Sequence, residues 1–261
     1  MASHPEEESL KLVEAFVDEL KHALDSLGGK MPTPNTLLGR YRFWSSKHLQ
    51  RALAGFAFLR RSGYTDSSKF FVRSAIEMVI RLEAASKHPD LFYRIAFSEH
   101  RRDEQFLREV DKRLNNEAQS KENWKRFEAN WEIFRDAFTK EFPDVPKEDK
   151  PLTVASAAEK MGMDNLYGGY YRIYSQYTHG ALLATIGYLD EGTDPEDNRI
   201  MAMCAVGALE ALISLGAESS SHDDLFRRFR RLFAIQLKVE TVQAASGPST
   251  GKRPAPSAGV P

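Results

Sequence analysis

Apolar residues recur along the chain at spacings of three and four, and sustained alternation is nearly absent. Val13, Phe16, Val17, Leu20 and Leu24 mark a helix over Leu10 to Leu27, ended by Gly28-Gly29. PTPNT reads as a loop. A second helix runs from Tyr41 to Arg61 and stops at Ser62-Gly63. Asp66 is placed to cap a third, reaching about Ser86, and Pro89 suits the first turn of a fourth. Trp124, Phe127, Trp131, Phe134 and Phe138 make an aromatic stripe on a fifth, predicted to be core. Phe142 to Pro151 is a loop, Thr153 to Met161 a short helix, and Asp164 opens the next element. Thr193 and Glu196 flank Pro195 as a capping box before an apolar helix, and Ser221 with Asp224 repeats that logic for the last one. The pattern predicts a single-domain all-α helical bundle of about eight or nine helices over residues 9–242. A flexible segment, 1–8, precedes it, and a Pro/Gly/Ser-rich tail, 243–261, is expected to be disordered.

Composition narrows the function classes. The 261 residues are 42% hydrophobic and 28% charged with a net charge of −1, so contact with nucleic acid requires a local basic patch. A single cysteine, Cys204, excludes a disulfide framework and argues against structural zinc, and no metal or cofactor is expected. The polar start MASHPEEESL carries no secretory pattern, which points to the cytoplasm. Ile200 to Ala217 holds one charge, Glu210. It reads as a buried central helix, with a membrane span as the less favoured alternative.

Three stretches carry candidate chemistry. Arg227, Arg228, Arg230 and Arg231 lie on the flanks and back of an amphipathic helix whose apolar face is Leu225, Phe226, Phe229, Leu232 and Phe233. They would suit phosphate or an acidic partner, or form a solvated face. Arg73, Glu77 and Arg81 stand four apart on one helix side and are expected to form a surface ladder. The third stretch is YRIYSQYTHG, Tyr171 to Gly180. Arg172 and His179 would share a face about 10 Å apart along the axis, with Ser175 and Gln176 between them. Tyr170, Tyr174, Tyr177 and Tyr188 would line the other side. An arginine and a histidine so placed can perform metal-independent ribonuclease chemistry, His179 moving the proton and Arg172 holding the phosphate. The alternative is a buried network that fixes helix register.

Arg73, Ser74 and Glu77 on one helix, followed about a hundred residues later by Tyr174, Ser175 and His179 and then by an apolar helix, resemble the bacterial helical family called domain of unknown function 5677. The pattern is similar to that of the wider HEPN group of nucleotide-binding and ribonuclease domains, over roughly residues 40–215. The resemblance implies His179 and Arg172 as catalytic residues, Arg73 and Glu77 as supports, RNA or a nucleotide as ligand, and a homodimer. HEPN ribonucleases carry an arginine, four to six residues and a histidine. Arg42–His48, Arg81–His88 and Arg94–His100 also satisfy that spacing. The expected function is a non-catalytic module binding a ligand, a nucleotide or a protein, with the endoribonuclease as the alternative.

Overall fold

The computed structural model describes residues 4–28, 36–113, 117–178 and 194–232, and among these the protein is helical with no strand. The tail, His179, Gly180, Tyr188, Thr193 and Phe233 lie outside the described residues. The helices are α1 (His4–Ser26), α2 (Leu37–Arg61), α3 (Thr65–Lys87), α4 (Pro89–Asp111), α5 (Glu117–Glu141) and α6 (Val154–Lys160). A π-helical segment, Leu166–Tyr171, leads into α7 (Arg172–Thr178). Then come α8 (Asp194–Ile213) and α9 (residues 222–232).

α1, α2, α3 and α8 pack on one another around a single core. Phe16 and Leu20 of α1, Leu53 and Phe56 of α2, Ile76 and Ile80 of α3, and Met201 and Leu209 of α8 belong to this core, all at most 1% exposed. α8 is the apolar Ile200–Ala217 run, and its small side chains let its neighbours come close. A Cβ on Gly207 would lie 2.8 Å from Val79 Cγ2, so that glycine sets the separation of α3 and α8. Glu210 faces outward. Among the described residues no helix is long and apolar enough to cross a membrane. At the α2–α3 turn, Gly63 takes φ 79°, a left-handed value that suits glycine.

α4 and α5 form an antiparallel arm on the outside of α3. The aromatic stripe binds the two helices together: Phe138 lies 5.1 Å from Tyr93, and Trp131 5.9 Å from Phe97, centroid to centroid. Of the stripe only Phe138 is fully buried, because a two-helix arm covers one side of each ring and leaves the other to solvent. The stripe thus joins the core at Phe138, with Phe134 and Trp131 packed against it, and continues outward through Phe127 and Trp124 as the seam of the arm. The arm is fastened at its base, where Glu141 of α5 accepts the backbone N–H groups of Leu37 (2.5 Å) and Leu38 (3.3 Å) at the start of α2.

Several expected boundaries move, each for a local reason. α1 begins at His4, not Leu10. The segment expected to be flexible supplies Glu6 and Glu7, which pair with Arg60 (2.9 Å) and Arg61 (2.7 Å). α2 begins at Leu37 because Thr36 Oγ1 accepts from Gly39 N and caps it, turning the end of the PTPNT loop into a helix start. Asp66 falls within the first turn of α3 and makes no cap. Ser221 donates its hydroxyl to Glu19 of α1 instead of capping α9. Glu196 pairs with Arg199 one turn along α8.

Replacing Gly207 by valine is expected to force α3 and α8 apart and cost about 1–3 kcal/mol, read as a lowered urea midpoint. Adding Val79→Ala should recover part of the loss. An unchanged midpoint for Gly207→Val would mean that the helices are not in contact there.

Candidate functional site

The polar side of α3 is half-buried, which overturns the surface ladder. Arg81 donates to Glu77 within its own helix (2.7 Å) and across to Glu99 of α4 (3.0 Å). Its side chain is 18% exposed, so it is held in a fixed geometry. The same side of α3 meets the π-helical segment. There the N–H of Arg172 reaches back five residues to the carbonyl of Tyr167, widening the helix by one residue per turn. Gly168 and Gly169 lie within this turn, and a Cβ on either would meet only open space. The widened turn places the Tyr171 hydroxyl between Arg73, from which it accepts (3.3 Å), and Glu77, to which it donates (3.3 Å). The Arg73 guanidinium also lies over the Tyr171 ring, 5.4 Å from its centroid. A continuous chain of polar contacts results: Arg73, Tyr171, Glu77, Arg81, Glu99.

Beside this chain a cavity of about 480 Å³ opens between α2, α3 and α4. α2 contributes Tyr41, Trp44, Ser45 and His48; α3 contributes Ser74, Glu77, Met78 and Arg81; α4 contributes Glu99. One wall is aromatic and the other ionic. Burial raises the Tyr41 phenol above its ordinary range, and the carboxylate of Glu99 pushes it the same way, against a smaller downward pull from Arg81. A larger hollow at the tip of the arm, lined by Arg108, Glu109, Asp111, Lys112 and Trp124, is a shallow surface of solvated ion pairs. Among the described residues no group of three or more His, Cys, Asp or Glu side chains is placed to hold a metal.

The YRIYSQYTHG stretch is divided by the structure. Tyr174, 2% exposed, turns away from Arg73 and Glu77 and donates to Asp197 of α8. Asp197 is fully buried and faces Arg60 of α2 at 3.8 Å. Arg60 in turn reaches Glu6, and the neighbouring Asn198 donates to Ser9 (2.9 Å). Tyr174 thus belongs to a buried network joining α1, α2, α7 and α8. Ser175 donates back to the carbonyl of Tyr171 (2.7 Å). Arg172 is exposed, and His179 lies outside the described residues.

The other Arg–His spacings belong to different surroundings. Arg42 ties α2 to Ser86 (3.1 Å) and Ser214 (3.3 Å), while His48 opens into the cavity. Arg94 donates to the carbonyls of Lys150 and Pro151. His100 is stacked between Phe127 and Trp131, 4.3 Å from each, and burial there lowers its basicity against the opposing pull of Glu104 and Asp103. His88 sits at the α3–α4 junction. The arginines of α9 also divide. Arg227 bonds to the carbonyl of Asp223 (3.2 Å) and Arg230 lies over Phe226, whereas Arg228 and Arg231 turn into a groove of about 310 Å³ beside Glu8 and Lys11 of α1.

Comparison with known families settles one point. A family of unknown function, DUF5677, matches residues 46–198, more than half of the chain. The chain belongs to the DUF5677 family. The matched region runs from within α2 to the first turn of α8, so it contains Arg73, Glu77, Arg81, Glu99, Tyr171 and Asp197. α1, most of α8, and α9 with its arginines lie outside it. No curated protein and no solved structure matches the chain. DUF5677 membership assigns no activity, so the reading of the site rests on its chemistry.

Tyr171, Trp44 and Glu99 are site residues that sequence reasoning passed over. Arg81 was legible as the third rung of the ladder. Tyr171 was concealed by the π turn, which a uniform helical wheel places wrongly. Asp197 carried a weak signal, as an acid at the start of an apolar helix.

Because Asp197 is fully buried against Arg60 and Tyr174, Asp197→Ala is expected to cost about 1–3 kcal/mol by removing the acceptor of the buried Tyr174 hydroxyl and leaving Arg60 with Glu6 as its remaining acidic partner. Tyr174→Phe should cost about 1–3 kcal/mol. Combining Arg60→Met with Asp197→Leu should restore much of the loss. Urea unfolding of the four proteins checks the order, and a double variant no better than Asp197→Ala would show that the pair is not the unit.

Proposed function

We propose that this protein is a non-catalytic, small-ligand-binding helical module whose binding site is the α2–α3–α4 cavity. The observation carrying this reading is the convergence, on one cavity of about 480 Å³, of an aromatic wall (Tyr41, Trp44) and an ionic wall (Glu77, Arg81, Glu99). A recess of that volume suits a small molecule. Its polar groups are fixed by contacts behind them, with Tyr171 and Arg73 bracing Glu77. A preorganised site of this kind loses little freedom on binding. The test is a small-molecule screen by thermal shift, since a ligand that binds only the folded protein raises its melting temperature by mass action. Compounds that do so are expected to lose their effect in Ser74→Trp, which fills the mouth of the cavity from an exposed position. Compounds that act equally on that variant would place binding elsewhere.

A second reading is a HEPN-like, metal-independent endoribonuclease using Arg172 and His179. It is favoured by the exposure of Arg172, which leaves a guanidinium facing solvent where an RNA phosphate can approach. RNA incubated with the protein in EDTA separates the two readings. Cleavage that disappears in both Arg172→Ala and His179→Ala, with melting unchanged, would establish the nuclease. No cleavage by the wild-type protein leaves the binding module.

A further inference from the structure

The charge arrangement of the α2–α3–α4 cavity selects among ligands. We infer that it takes a planar nitrogenous cation, such as an amidinium or guanidinium group on a flat ring, and rejects phosphates and carboxylates. This rests on the small-ligand reading above and adds the chemical class.

The first argument is that the guanidinium in the cavity is already used. Arg81 places Nη2 on Glu77 at 2.7 Å and Nη1 on Glu99 at 3.0 Å. An anion that sought the usual two-pronged contact with arginine would have to displace a carboxylate and then sit beside it. The second argument is the charge balance of the lining. Two carboxylates, Glu77 and Glu99, face the one guanidinium of the lining, Arg81, so these three groups carry one negative charge in excess. The third is the availability of an acceptor. Both oxygens of Glu77 are engaged, Oε1 by Arg81 and Oε2 by Tyr171. Glu99 uses Oε1 for Arg81, and among the described residues no hydrogen bond reaches its second oxygen. With its side chain 41% exposed, Glu99 presents that oxygen at the mouth, where a ligand N–H can meet it.

The aromatic wall agrees with the acidic one. Trp44 is 45% exposed and lines the same cavity, and indole faces attract cations as well as flat rings. The Lys47 ammonium lies over the Trp44 ring at 4.9 Å, so one indole face already holds a cation; Lys47 is not among the residues lining the cavity, and a ligand there would meet the ring from the cavity side. A flat cation bound between Trp44 and Glu99 would combine stacking with a charge-assisted hydrogen bond.

The test uses three probes of nearly one shape and different charge: benzamidine, benzamide and benzoate. Each is titrated into the full-length, ¹⁵N-labelled protein while the Trp44 indole N–H is followed by NMR, with Trp44→Phe assigning the signal. Benzamidine is expected to shift the Trp44 signal with a dissociation constant about tenfold below that of benzamide, and benzoate to leave it unmoved. Glu99→Gln should weaken benzamidine about tenfold and leave benzamide within about twofold. The charge series on the wild-type protein decides the matter even if the variant folds poorly. Benzamide or benzoate binding as tightly as benzamidine would overturn the ligand class and leave the cavity as a ligand site. A Trp44 signal unmoved by all three would overturn the class and count against the cavity reading itself.

Discussion

A carboxylate sealed from water must find its counter-charge inside the protein, and Asp197 does so at the point where four helices meet. Its side chain is fully buried against the Arg60 guanidinium, and Tyr174 donates to it from α7. An ion pair so placed stabilises less than apolar contacts of the same volume would, but it tolerates few other arrangements. It fixes the rotation of α7, because Tyr174 must reach inward. Tyr171 lies three residues earlier, across the π-to-α junction, and with Tyr174 held inward it is left to face Arg73 and Glu77 on α3. The orientation of the candidate site therefore follows from a contact that is not part of it.

The same economy explains why the cavity does not resemble an anion site despite its arginine. Guanidinium groups recognise phosphate when their fork is open. Here the fork is closed by Glu77 and Glu99, and the arginine acts as a spacer holding two carboxylates on adjacent helices. Arg73, Arg81 and Arg172 occur within one family-matched region, yet one braces a tyrosine, one bridges two acids and one faces solvent. Residue type alone would have given them a common role.

The helical architecture was legible because its signals are local: spacings of three and four, glycines after helices, and an apolar run whose alanine and glycine content favoured a closely packed helix over a membrane span. The site was legible in part. Arg73, Glu77 and Arg81 stand out as a ladder by spacing, but whether a ladder is covered depends on what crosses it, and Glu99 and Tyr171 arrive from 18 and 94 residues away in sequence. Tyr174 and Ser175 drew notice as neighbours of His179. Tyr174 proves to serve the core, on the side opposite the exposed Arg172 as the helical wheel placed it, and with Tyr170 it reaches α8. The shifts at α1 and α2 have a different origin. Glu6, Glu7 and Thr36 form helical ends through partners or caps that hydrophobic spacing does not register.

The fastening of the arm to α2 has a kinetic meaning. The first amides of a helix have no partner within it, and here those of Leu37 and Leu38 are satisfied by Glu141, more than a hundred residues further along the chain. Closing so long a loop is entropically costly and slow relative to winding a helix. The first turn of α2, capped locally by Thr36, thereby gains a second support from the far end of α5. Tyr41, four residues into that helix, stands at the cavity wall. In the order of synthesis the wall that carries Tyr41 thus gains this brace only after α5 has been made and has folded back, and the core closes later still, because α8 follows α5 in the chain.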